Sequence, residues 1–158
     1  MTTAIEWNFV PNCGFGLSIG CDTFECMTHH VPVRYEDSKD PLKRTRLQEL
    51  SEALMPDAFD DAKKLAAEFV TQKLSPQLYA SIVSIDGNIG EAYSRSSGKD
   101  RALRFEYALG ETRESMSWYK GAKPVLGDEV VVDRLDRLEE IRRILLAIIP
   151  RERGKSMR

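Results

Sequence analysis

Three successive segments of the chain carry the same apolar rhythm. Leu78, Ile82, Ile85, Ile89 and Ala92 step by four, three, four and three residues. Ala102, Phe105, Leu109, Thr112, Met116 and Tyr119 step by three, four, three, four and three, and Val131, Leu135, Leu138, Ile141, Leu145 and Ile148 repeat the pattern. A spacing near 3.5 residues lines such side chains along one stripe of an α-helix, and stripes of this kind are buried against one another.

Local signals set the expected ends. Ser75-Pro76 is a helix start, because a hydroxyl can cap free amides and proline suits the first turn. Ser97 and Asp100 have the separation of a capping box for the next helix, which is expected to stop before Gly121 and Pro124. Gly127-Asp128 opens a last helix that Pro150 closes. Upstream, Asp57 can cap a segment in which Ala58, Ala62, Leu65, Ala66 and Phe69 recur on one face, so a helix is predicted from Asp57 to Leu74. Leu42, Leu47, Leu50 and Leu54 suggest a shorter helix interrupted by Pro56.

Short connections make successive helices antiparallel, and seams near 3.5 pack at shallow angles. The sequence therefore predicts an all-α protein: an antiparallel up-down four-helix bundle over residues 57–150, preceded by a short accessory helix over 41–56. Residues 1–40, with Pro11, Pro32 and three glycines but no helical period, read as an irregular N-terminal extension, and 151–158 as a basic tail.

At 158 residues the chain suits one hydrophobic core. No apolar run approaches the roughly 20 residues of a membrane span, and Met1 to Val10 lacks a charged-then-apolar leader, so a cytoplasmic protein is expected. Cys13, Cys21 and Cys26 fit reduced thiols. With His29 and His30 they are zinc-ligand types, but only Cys26-x-x-His29 has a chelating spacing, so no metal and no cofactor are expected. Gly14, Gly16 and Gly20 read as turn residues, since no phosphate-loop lysine follows them. The bundle region has no histidine and no nucleophile–base pair, which points away from an enzyme.

Beside the second seam, Ser84, Asn88, Glu91 and Arg95 step by four, three and four along one face. With Arg104, Glu111 and Glu114 they form either a buried or interfacial hydrogen-bond network or a solvated face with an ordinary Glu91–Arg95 pair. Trp118 and Tyr119 could stack on bases, but their spacing favours core or subunit interface. Cations gather at Arg95, Lys99, Arg101 and Arg104, and again at Arg151, Arg153, Lys155 and Arg158. A net charge of −2 gives no global pull towards polyanions, so any nucleic-acid contact has to come from such local patches, repeated in an oligomer. Asp100, Glu106, Glu111 and Glu114 interleave with the helical cations.

Gln77 to Arg95, QLYASIVSIDGNIGEAYSR, resembles a helix of the bacterial four-helix-bundle family that includes ribosomal RNA intervening-sequence proteins. Ser84, Ile85, Asn88, Ile89 and Glu91 match its SI-x-x-NI-x-E core, with Arg95 following and Gln77 where the family often has glutamine. Arg104 to Tyr119 is similar to the family's third helix, with Gly110 ahead of Glu111 and Glu114. The resemblance spans about Asp57 to Ile149 and implies the bundle fold. The family also contains the accessory variability determinant of diversity-generating retroelements, a pentamer that works with a reverse transcriptase and its RNA. The resemblance thus implies a non-enzymatic homo-oligomer, a pentamer on that pattern, that binds RNA or DNA, or serves a reverse transcriptase–RNA complex. The alternative expectation is a protein–protein scaffold whose N-terminal extension docks a partner, with no nucleic-acid contact.

Overall fold

The computed structural model describes residues 45–154, which form four helices and, among those residues, no strand. They are α1 (Arg46–Ala67), α2 (Leu74–Ser94), α3 (Gly98–Leu126) and α4 (Asp128–Arg153). The chain runs up, down, up, down, with α2 against α1 and α3, and α4 against α3. The all-α bundle expected from the seams is what the chain forms. No helix among the described residues is long and apolar enough to cross a membrane. The expected extension, with Cys13, Cys21, Cys26, His29 and His30, lies outside the described residues, as do Leu42, Lys155 and Arg158.

The core is made largely from the predicted stripes, although Met116, Leu135 and Ile148 are only partly buried and Ile149 takes the last core position of α4. Leu78, Ile82, Ile85, Ile89 and Ala92 of α2 are all buried, facing Ala102, Phe105, Leu109 and Tyr119 of α3 and Leu138, Ile141 and Leu145 of α4. Leu47, Leu50, Leu54, Ala58 and Leu65 supply the share of α1. Fully burying one such leucine or isoleucine contributes about 1.5–3 kcal/mol, so the four stripes are the main source of stability.

The ends of the helices differ from those predicted. Pro56 does not stop α1; it is exposed inside a helix that joins the expected accessory helix to the expected first bundle helix. An interior proline costs about 3 kcal/mol through its missing N–H and its ring. Leu50 and Leu54 before it and Ala58 and Leu65 after it share one buried face, and their burial exceeds that cost. The start of α1 is set by Thr45, whose hydroxyl accepts from the Gln48 amide at 3.3 Å. Asp57, expected as a cap, sits mid-helix and pairs with Arg137 instead.

At its other end α1 finishes at Ala67, so residues 68–73 are a turn and not the final helical stretch predicted to Leu74. Phe69, expected in the apolar face, is 91% exposed. The Thr71 hydroxyl donates to the Leu65 carbonyl at 2.8 Å and closes this turn. Ser75 does not cap α2; it is buried one residue inside and donates to the Ala62 carbonyl of α1 at 2.7 Å, pinning the two helices together.

Ser97 flanks α3 without a side-chain cap bond, so the predicted capping box does not form, although its carbonyl accepts from the Arg101 amide at 3.0 Å. α3 passes Gly121 and Pro124 and ends at Leu126, because Ala122 and Leu126 continue its buried stripe. One residue, Gly127 at φ 84° and ψ 163°, joins α3 to α4. That backbone region is open essentially to glycine alone. α4 likewise continues through Pro150 to Arg153, so the first part of the expected tail is helical.

Candidate functional site

One end of the bundle collects the finish of α2, the start of α3 and the finish of α4. Arg101 ties it together: its Nε donates to Glu152 Oε2 at 2.6 Å, and its Nη1 donates to the Arg95 and Ser96 carbonyls at 2.9 and 3.0 Å. Arg153 of α4 reaches across to Glu106 of α3. Glu91 of α2 receives both Arg95 and, at 3.0 Å, Arg104 of α3. The two basic groups that the sequence places about fifty residues apart, in the α2–α3 turn and at the end of α4, therefore stand side by side. Arg95, Arg101, Arg104 and Arg153 pair there with three carboxylates, those of Glu91, Glu106 and Glu152.

A surface groove of about 450 Å³ opens at this end, lined by Lys99, Asp100, Leu103, Glu106 and Arg153. Tyr107 stands half-exposed nearby with the Arg104 guanidinium 5.5 Å from its ring centre, within cation–π range. Lys99 and Arg151 are exposed.

The polar stripe does not form one hydrogen-bonded chain. Asn88 Nδ2 donates to the Ser84 carbonyl at 2.9 Å, a bond within α2. Glu91 belongs to the arginine cluster, and Trp118 Nε1 donates to Glu114 at 3.1 Å on α3. Burial and the neighbouring Glu114 hold the Glu111 carboxyl above the usual carboxylate range. Gln77 is exposed, Trp118 is half-buried and Tyr119 lies wholly in the core.

Two polar clusters lie elsewhere and were not singled out from the sequence. Asp61 of α1 is buried and accepts from Arg134 Nε at 2.9 Å and from the Tyr119 hydroxyl at 3.3 Å. Burial, then the charge of Asp61, pushes the Tyr119 hydroxyl well above its ordinary range. Arg137 Nη2 bridges Asp57 at 2.5 Å and Asp133 at 2.7 Å, joining α1 to α4. Burial works against the Asp133 charge, but hydrogen bonds from Arg137 and Arg134 outweigh it and hold that carboxyl low. The sequence signal was present: acids four apart at Asp57 and Asp61, and arginines three apart at Arg134 and Arg137, both beside apolar stripes. In the second cluster, Gln48 and Ser51 of α1 donate to Asp86 of α2 at 2.5 and 2.8 Å. These clusters tie α1 to α2, α3 and α4 and so fix helix register.

One solved structure aligns with the bundle. It is the crystal structure of a protein of unknown function from the S23 ribosomal protein family of Bacteroides thetaiotaomicron, with a TM-score of 0.59 and 26% sequence identity. The match covers 65% of this chain and 97% of that one, so that whole protein corresponds to about two thirds of this sequence. No family model matches the chain, and no curated protein matches it. The neighbour supports the four-helix fold.

Proposed function

We propose that this chain is a non-enzymatic, self-associating bundle that holds structured nucleic acid at its basic end, as an accessory to a reverse transcriptase–RNA complex or a similar particle. The observation that carries the reading is the convergence of Arg95, Lys99 and Arg104 from the α2–α3 region with Arg153 of α4 at one end of the bundle. A guanidinium has five N–H donors, and one carboxylate engages two at most, so Arg95, Arg104 and Arg153 keep donors for phosphate. Lys99 and Arg151 add exposed charge, and an oligomer multiplies the patch. The likeness of the Gln77–Arg95 segment to intervening-sequence proteins and to the pentameric retroelement accessory protein supports the choice of partner.

The reading is tested by titrating a labelled stem-loop RNA and a duplex DNA with the protein across a salt series. Binding is expected to weaken steeply as salt rises, and Lys99→Ala combined with Arg151→Ala to lower the log–log salt slope by about 2. Absence of binding to either nucleic acid at about 50 mM salt overturns the nucleic-acid contact.

One observation favours a second reading, a protein–protein scaffold. Arg95, Arg101, Arg104 and Arg153 each already have a carboxylate partner within the chain, which lowers the potential at this end. In that case residues 1–40 dock the partner, and their deletion abolishes partner capture while the oligomer persists.

A further inference from the structure

Pro56 divides α1 into two halves that are held in different ways. A proline has no N–H, so the Glu52 carbonyl four residues earlier has no helical donor, and the ring crowds that turn. Arg137 of α4 reaches the gap, its Nη1 donating to the neighbouring Ala53 carbonyl at 3.4 Å. The downstream half, residues 56–67, is pinned along both edges. Asp61 is buried against Arg134 of α4 at 2.9 Å, and Asp57 accepts from Arg137 at 2.5 Å. On the other edge the Ala62 carbonyl accepts from the buried Ser75 hydroxyl of α2 at 2.7 Å.

The upstream half, residues 46–55, is seated by the leucines Leu47, Leu50 and Leu54, all buried. Its polar ties are poorer than those of the other half. Towards α4 they are two exposed bonds, Arg46 Nε to Glu140 at 2.9 Å and the long Arg137 contact to Ala53. Exposed ion pairs of this kind add little to stability. Towards α2, Gln48 and Ser51 both donate to a single atom, Asp86 Oδ1. The amide oxygen of Gln48 is buried with no hydrogen-bond partner among the described residues. A buried acceptor left unpaired opposes docking, because water would satisfy it.

We propose that residues 46–55 form a strap that swings out at Pro56 as one unit while the rest of the bundle stays folded. Helices bend where a proline has interrupted the hydrogen-bond ladder, and a hinge needs only a few residues to absorb the change in backbone angles. Opening returns the Glu52 carbonyl, the Gln48 amide oxygen and the Asp86 carboxylate to water, which offsets part of the lost leucine burial. The strap crosses α2 at Asp86, which lies between the buried Ile82 and Ile89. Swinging out therefore thins the cover over that stretch of core, while the ties of Asp57, Asp61 and Ala62 keep the downstream half in place.

The inference depends neither on nucleic-acid contact nor on self-association. Amide hydrogen exchange of the full chain, followed residue by residue by NMR, tests it. The amides from Leu50 to Met55 are expected to share one protection, about ten-fold or more below that of Asp60 to Leu65, with a step at Pro56. Simple fraying gives instead a gradient that rises smoothly along α1. Pro56→Ala is expected to raise the protection of the strap about ten-fold or more and to erase the step. Arg46→Ala, at an exposed position, is expected to lower the protection of the strap alone by about two- to five-fold. A smooth gradient overturns the proposal, as does one protection shared by both halves of α1 or a step that persists in Pro56→Ala.

Discussion

Asp61 has its side chain 1% exposed at the meeting of three helices, and its charge is balanced chiefly by one guanidinium. Arg134 Nε lies 2.9 Å away, while Lys64 Nζ is 3.9 Å distant and Oδ1 has no hydrogen-bond partner among the described residues. Removing one member of a buried pair leaves the other uncompensated, so Arg134→Met is expected to lower unfolding free energy by about 3–5 kcal/mol in urea titration. Adding Asp61→Leu to that variant should recover much of the loss. Tyr119→Phe removes only the 3.3 Å hydroxyl contact and should cost about 1 kcal/mol. Asp86 behaves differently. Burial, aided by Glu52, raises its carboxyl against the lowering effect of bonds from Ser51 and Gln48. The folded state thus binds the proton more tightly than the unfolded chain does. This contribution to stability is fully present below the unfolded aspartate value and is lost as pH rises through the folded value. Asp86→Asn removes the dependence, so its melting midpoint should exceed that of the parent near pH 7 and match it at about pH 3.

Among the elements, the seams were legible and the stops were not. Each stripe from Leu78 to Tyr119 was readable because burial obeys helical period, and period is a local property. Pro56, Pro124 and Pro150 read as breaks, yet all three lie inside helices. A proline weighs against the apolar surface on both sides of it, and that sum depends on which neighbouring helix is present to cover Leu54, Ala58, Leu126 or Ile149. The helix at Pro56 is held against its own preference, so Pro56→Ala should stabilise the protein by about 1–3 kcal/mol, measured by thermal or urea unfolding. Gly127 acts in the opposite sense. No atom stands near a Cβ built there, but φ 84° with ψ 163° strains any other residue. Gly127→Ala should cost about 1–3 kcal/mol in the same measurement through backbone strain alone.

At the scale of the whole molecule, the two basic groups were readable as local runs, but their meeting was not. It requires antiparallel register between α3 and α4 and the extra turn of α4 beyond Pro150, from which Glu152 and Arg153 reach Arg101 and Glu106. The carboxylates that answer these arginines were equally hidden, because Glu152 is 51 residues from Arg101 and Glu106 is 47 from Arg153. The same long separations mark the other side of the bundle. Asp61, Asp57 and Arg46 of α1 take partners 73, 80 and 94 residues later in α4. At roughly 5–20 residues per second on the ribosome, α1 emerges roughly 4–20 s before the arginines and glutamate that complete it. During that interval α1 can pack on α2 and α3 but has to keep Asp61 in water. Birth of the native fold therefore waits for the fourth helix, and a nascent chain stalled before Arg134 presents a half-closed bundle to chaperones and proteases.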